Sequence, residues 1–168
     1  AERASAKVPE ASRAKPRKLE SIGVVGGGTM GAGITVAALD SGLPVTMIER
    51  DAESIARGRK NVEKVYDRLV AKGRKTKDQK AAVMALYTAS TNYSDLSDVD
   101  MVIEAVFERL DVKREVFAKL DEVIKPSAVL ASNTSYIDID LISSATSRPS
   151  QVIGLHFFSP ANIMKLLE

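Results

Sequence analysis

Three glycines, a single histidine and a hydroxyl-rich run hold most of this sequence's capacity for chemistry. The glycines lie in Ser21-Ile22-Gly23-Val24-Val25-Gly26-Gly27-Gly28-Thr29-Met30-Gly31. An apolar, β-branched run leads into G-x-G-x-x-G (Gly26, Gly28, Gly31), and an Ala-rich helix over Ala32 to Leu39 leads out. A second apolar run, Pro44 to Ile48, ends in the acid Glu49. Strand, glycine loop, helix and acid in that order have the spacing of a dinucleotide-binding βαβ unit. Gly26 permits the turn off the strand, Gly28 lets backbone approach a pyrophosphate, and Gly31 lets the helix close on the sheet. The unpaired N–H groups at the helix start, at Thr29 and Met30, face the phosphates with a partial positive charge. Glu49 accepts from ribose hydroxyls and repels a 2′-phosphate, which favours NAD over NADP. The neighbouring Arg50 weakens that preference slightly.

The other reactive residues follow apolar runs later in the chain. Met101 to Val106 reads as a buried strand, with Glu104 and Glu108 at its carboxyl end and Lys113 just beyond. Val129 to Ser132 is the next strand, followed by Asn133, Thr134 and Ser135. Gln151 to His156 is the last, followed by Phe157-Phe158-Ser159-Pro160. Ligands of open parallel sheets bind beyond such strand ends. Histidine exchanges a proton near neutral pH, so His156 suits a general base acting on an alcohol; packing between phenylalanines is the other use of that position. Glu168 is the nearest downstream carboxylate able to orient the ring, or else a solvated residue. The Ser-Asn-Thr-Ser run is either an ordinary turn or a set of donors for a nicotinamide amide and a substrate oxygen. Glu108 and Lys113 are either ribose contacts or an exposed pair at a helix start.

The elements that must position these groups alternate. A helix is expected from about Ala52 to Lys72, with Ile55, Val62, Val65, Tyr66 and Leu69 on one face. Gly73 stops it, and Thr76-Lys77-Asp78-Gln79 opens a second helix through Leu86. Together they form a helical hairpin inserted before a short strand near Ala89 to Thr91. Val112 to Ile124 is amphipathic and stops before Pro126; a short helix covers Asp140 to Ala145. Repeated βα units imply an α/β fold: a Rossmann-like, doubly wound, mostly parallel sheet.

Composition narrows the partners. The 168 residues suffice for one domain with a real core. A net charge of +2 gives no reason to invoke nucleic acid or a membrane surface. With no cysteine, disulfides, thiolate nucleophiles and cysteine metal sites are excluded. No apolar run reaches membrane-spanning length, there is no signal-peptide core, and no metal site is expected. Residues 1–18 are basic, carry Pro9 and Pro16 and hold almost no apolar residues beyond alanine. They read as a mobile linker, with an anion-binding tail as the alternative. The domain proper is expected over 19–168.

Four segments resemble the NAD-binding domain of L-3-hydroxyacyl-CoA dehydrogenases: Gly26 to Ile34, Ile103 to Glu108, Ala131 to Ser135, and Gly154 to Pro160. The resemblance runs over roughly 19–168 in order and spacing, and the last two motifs are specific to that family. It implies that His156 is the catalytic histidine, Glu168 its partner and Ser135 the serine that holds the substrate's 3-oxygen. Asn133 would stand between cofactor and substrate, and Glu108 and Lys113 would contact the cofactor. Glu49 stands where many members have aspartate, and Arg109, where many have asparagine, receives no role. The implied activity is NAD-dependent oxidation of (3S)-3-hydroxyacyl-CoA in fatty-acid β-oxidation, with acyl-CoA as the substrate partner. A non-catalytic, λ-crystallin-like NAD-binding protein of the same fold is the alternative. Residues 1–9 resemble the segment that joins the enoyl-CoA hydratase/isomerase half to the dehydrogenase half in multifunctional enzymes. The chain then reads as an internal slice that lacks the helical domain for substrate and homo-oligomer contacts. Weak or no activity alone, and a mobile terminal Glu168, are expected. The expected compartment is the bacterial cytoplasm, or the peroxisome or mitochondrion in a eukaryote.

Overall fold

The computed structural model describes residue 15, residues 17–164 and residues 166–168. Most of the expected linker, residues 1–14 and Pro16, lies outside the described residues. Of its described part, Arg17 donates to the carbonyl of Ser127 (2.8 Å).

The most apolar segments become the strands of one parallel sheet. They are β1 (Ile22–Val25), β2 (Val45–Ile48), β3 (Tyr87–Ser90), β4 (Met101–Glu104), β5 (Val129–Ser132) and β6 (Val152–Gly154). All neighbours pair parallel in the order β3-β2-β1-β4-β5-β6. The order reverses between β1 and β4, so loops leaving those strands diverge and open a crevice. β1 is buried along its length, as a central strand covered on both faces must be.

The helices are α1 (Thr29–Asp40), α2 (Ala52–Ala71), α3 (Lys77–Met84), α4 (Leu110–Val123) and α5 (Ile139–Ser143). α1 begins at Thr29, earlier than its Ala-rich pattern suggests. Its N-cap is Gly28, with no capping side chain, so no polar residue marks the start. α2 is amphipathic, burying Val62 and Tyr66, and Asp51 caps it by accepting from the Ser54 N–H (2.6 Å). α3 carries the expected capping box between Thr76 and Gln79. It buries no residue fully and is tied to α2 by Lys80–Asp67 (2.6 Å). This is the helical hairpin the spacing predicts.

Two apolar layers sandwich the sheet. Val24, Ile34, Leu39, Met47, Val62 and Tyr66 fill one face. Val25, Ile48, Val102, Phe117, Leu120 and Ile142 fill the other. Each fully buried Leu, Ile or Phe contributes about 1.5–3 kcal/mol. α4 ends with Ile124 in extended conformation, two residues ahead of Pro126, whose ring disfavours helix at Lys125 and so stops the helix from running on.

Candidate active site

The six strands end in register. Across the carboxyl edge the row reads Ser90, Ile48, Val25, Glu104, Ser132, Gly154. One residue further, each loop is pinned to its neighbour's last carbonyl. Glu49 N–H bonds to Ser90, Gly26 to Ile48, Ala105 to Val25, Asn133 to Glu104 and Leu155 to Ser132. Every candidate group therefore leaves the sheet from one line.

The glycine loop fits a diphosphate. Gly26 has φ +98°, a conformation that disfavours any side chain. A Cβ on Gly31 would lie 1.7 Å from the Gly26 carbonyl oxygen, so helix and turn meet here without room for a methyl. A Cβ on Gly28 would meet nothing within 4 Å; the space is open for a ligand beside the start of α1. No acidic side chain occupies the first turn of α1, and its first backbone bond is Ala32 N–H to Gly28 (2.9 Å). The N–H groups of Thr29, Met30 and Gly31 are thus the unpaired donors of a helix start.

Glu49 holds the same loop from β2. Its Oε1 accepts the Gly27 N–H (2.6 Å) and its Oε2 the Arg50 N–H (3.3 Å). A carboxylate has about four acceptor positions, so both oxygens retain capacity for a ribose. Asn61, on α2, donates to the Gly27 carbonyl (3.0 Å), and α2 comes close at Gly58, where a Cβ would lie 3.3 Å from Gly27 Cα. The peptide groups on both sides of Gly27 are thereby fixed. The sequence signals for Asn61 are only its place in α2 and a polar type, and reading the residues did not find it.

Glu108, Lys113 and Glu104 depart from the sequence reading. The exposed-pair alternative is wrong: Lys113 is fully buried, with its side chain 1% exposed. Its Nζ donates to Glu104 Oε1 (2.8 Å) and Oε2 (3.0 Å) and approaches Glu108 Oε2 (3.1 Å). Glu104, also fully buried, further accepts from Ser132 Oγ (2.6 Å) and the Val106 N–H (2.8 Å). Glu108 Oε1 accepts from Thr134 Oγ1 and from Ser135 N–H (2.8 Å) and Oγ (3.4 Å). Burial works against the Glu108 charge, but the bonds from Thr134, Ser135 and Lys113 outweigh it and hold the carboxyl below the usual range. Asn133 closes the loop by accepting the Phe157 N–H on Oδ1 (2.9 Å).

At the far end of the row, His156 Nδ1 stands 3.5 Å from Glu168 Oε2. The pairing is held by backbone: His156 N–H donates to the Glu168 carbonyl (2.8 Å) and Glu168 N–H to the His156 carbonyl (3.1 Å), around a bridge between Phe157 and Leu167. The expected mobile Glu168 is instead tethered twice. Phe158 lies against the His156 ring, centroids 4.5 Å apart. The His156 side chain is 31% exposed, so the ring is not sealed from solvent. Among the described residues no cluster of potential metal ligands occurs, and no helix is long and apolar enough to cross a membrane.

Residues 21–168 match the family described as "3-hydroxyacyl-CoA dehydrogenase, NAD binding domain". The chain belongs to this family. It is 41% identical over 170 aligned positions to the peroxisomal fatty acid beta-oxidation multifunctional protein AIM1 of Arabidopsis thaliana, covering 100% of this chain and 24% of that protein. It is 43% identical over 151 positions to a 3-hydroxybutyryl-CoA dehydrogenase of Mycobacterium tuberculosis, covering 89% of this chain and 53% of that one. The crystal structure of M. tuberculosis FadB2 superposes with a TM-score of 0.87 at 42% identity, covering 90% of this chain and 53% of that chain. The chain thus spans about a quarter of the multifunctional relatives' length and about half of the shorter dehydrogenases'. NAD is the cofactor of this domain family, and the open space at Gly28, the free N–H groups of α1 and the carboxylate of Glu49 fit it.

Proposed function

We propose that this chain supplies the NAD-binding half of an enzyme that oxidises (3S)-3-hydroxyacyl-CoA to 3-oxoacyl-CoA in β-oxidation. The observation that carries the reading is the His156–Glu168 pair, held on the same sheet edge as the glycine loop and the Asn133–Ser135 loop. Gly26, Gly28, Thr29, Met30 and Gly31 receive the pyrophosphate, Glu49 the adenosine ribose, and Glu108 and Asn133 frame the nicotinamide end. Lys113, buried with its donors taken by Glu104 and Glu108, acts there through Glu108 and not as the direct cofactor contact expected of it. NAD, when bound, supplies the acceptor for the hydride that leaves the substrate's C3.

His156 then has one task. With Nδ1 turned toward Glu168, its Nε2 takes the proton from the 3-hydroxyl as that carbon becomes a ketone. Glu168 fixes the ring and stabilises the imidazolium. Ser135 Oγ, held by its long contact to Glu108, turns to the substrate oxygen. The acyl chain and the oligomer contacts belong to the half of the enzyme beyond this chain.

The test is acetoacetyl-CoA reduction by NADH in the full-length protein. His156→Gln is expected to lower kcat by about 10²–10⁴-fold, the worth of a general base, with NADH affinity within about twofold of wild type. Unchanged turnover removes His156 from the mechanism. NADH binding without any turnover in the wild-type protein favours the non-catalytic alternative.

A further inference from the structure

We propose that Glu104 is a positioning residue: acting through Lys113 and Glu108, it sets the place of the Thr134–Ser135 loop.

The argument starts from donor and acceptor counts. An ammonium has three N–H donors. On Lys113 two of them go to Glu104 and the third faces Glu108. Glu104 is saturated, accepting from Val106, Lys113 and Ser132, and is sealed from solvent. It cannot touch a ligand and can act only through its partners. Glu108 leaves the turn after β4 with its side chain 27% exposed, and among the described residues Lys113 is the cation bridged to it. On its other oxygen hang Thr134 and Ser135. The chain of contacts is therefore Ser132–Glu104–Lys113–Glu108–Ser135, and it links the ends of β4, α4 and β5.

A purely structural role is a poor account of such a group. Burying a carboxylate and an ammonium costs desolvation that a well-packed apolar pair would avoid. The cost is rational where geometry must be fixed. A bidentate carboxylate beneath Lys113 holds the ammonium in one place, and a fixed ammonium holds Glu108. Without Glu104, Lys113 and Glu108 would pair in several arrangements and the serine loop would follow them.

The inference rests on the proposed NAD site only for its ligand readout. The first readout is therefore ligand-free: amide hydrogen exchange of Ser135 in Glu104→Gln. Exchange at Ser135 is expected to rise about tenfold while the amides of Ile22 and Val45, paired at the opposite end of the sheet to the carbonyls of Pro44 and Leu86, keep wild-type protection. The second is an NADH titration in a double-mutant cycle. Glu104→Gln is expected to weaken NADH about tenfold in the wild-type background and less than about twofold in a Glu108→Ala background. Unchanged Ser135 exchange in a native-like Glu104→Gln protein overturns the proposal, as does an equal loss of affinity in both backgrounds. Should Glu104→Gln not fold, Ser132→Ala removes one bond to the same carboxylate. A rise of about threefold in Ser135 exchange then supports the proposal and no change overturns it. A wild-type chain that does not bind NADH refutes the NAD reading, and the exchange experiment still decides the role of Glu104.

Discussion

Two methyl groups, placed on neighbouring glycines of one motif, separate the fold of the glycine loop from its use. In Gly31→Ala the new Cβ would sit 1.7 Å from the Gly26 carbonyl oxygen. That oxygen must retreat until it stands at least 3.0 Å away, the shortest approach a Cβ makes. The blocking atom is backbone, and Gly26, at φ +98°, cannot rotate away without leaving its turn. Overpacking of this kind costs about 1–3 kcal/mol, and a rigid obstacle places Gly31→Ala at the upper end. For a domain of this size about 3 kcal/mol lowers Tm by roughly 6–12 °C. In Gly28→Ala the Cβ meets nothing within 4 Å. Alanine is a poorer N-cap than glycine by a fraction of a kcal/mol, and lower unfolded-state entropy returns about 0.4–1 kcal/mol. The Tm of Gly28→Ala should then stay within about 2 °C of wild type. Its methyl fills the space beside the N–H groups of α1, so NADH should weaken at least about tenfold. Calorimetry and bound-nicotinamide fluorescence read the two quantities on the same samples. Wild-type NADH affinity in Gly28→Ala would refute the placement of the pyrophosphate. Wild-type Tm in Gly31→Ala would refute the closeness of helix and turn.

Further outcomes follow from the buried charges. Lys113→Met leaves Glu104 sealed without its cation and should destabilise the domain by about 3–5 kcal/mol, read by urea denaturation; a loss below about 1 kcal/mol would show that water reaches the site. Glu108 has its folded pKa depressed by Thr134, Ser135 and Lys113 against the opposing effect of burial. Asp100 is depressed by Lys125 and the Glu20 N–H, and Asp121, also against burial, by Ser147 and Arg148. Each contributes stability that is complete above its unfolded pKa, near about 4, and is lost as pH falls through the lower folded value. Unfolding free energy should therefore fall steadily with acid below about pH 4, and a flat profile there would contradict the three pairings. Glu49→Ala removes the repulsion of a 2′-phosphate and frees the Gly27 N–H, so NADH should weaken about tenfold or more and the preference over NADPH should shrink; an unchanged ratio in paired titrations would take Glu49 out of cofactor selection.

Periodicity and turn chemistry made the alternation of strands and helices legible, together with the inserted hairpin and its capping box. Strand ends were harder. The run Met101 to Val106 looks like one unbroken strand, but pairing stops at Glu104, where the Glu104 carboxylate takes the Val106 N–H. β3 begins at Tyr87, ahead of the expected start at Ala89, because Tyr87 packs into the core against Met47. The short 3-10 turns at Tyr93–Leu96 and Pro149–Gln151 carry no periodicity and were not foreseen. Within the site, residue types pointed to Gly28, Glu49 and His156. They could not reveal that Lys113 is buried, since a charged residue in the first turn of a helix ordinarily faces water. Asn61 was invisible for a related reason: its partner, the Gly27 carbonyl, is a backbone group far away in the chain.

The reversal of strand order that opens the crevice also fixes when the crevice can exist. β1 meets β2 across a single helix, Ile22 pairing with Val45. It meets β4 only after β2, the helical hairpin and β3 have all intervened, Ile22 pairing with Met101. The second pairing must close the longer loop before any of its contacts form, and distant parallel pairings form slowly. A chain emerging from the ribosome can thus assemble the glycine loop, Glu49 and the hairpin long before it holds the Glu108, Ser135 or His156 side of the cleft. A nucleotide held from both sides, as proposed, would bind the completed sheet more tightly than the early half, and that difference in binding free energy would weigh on the final stage of folding.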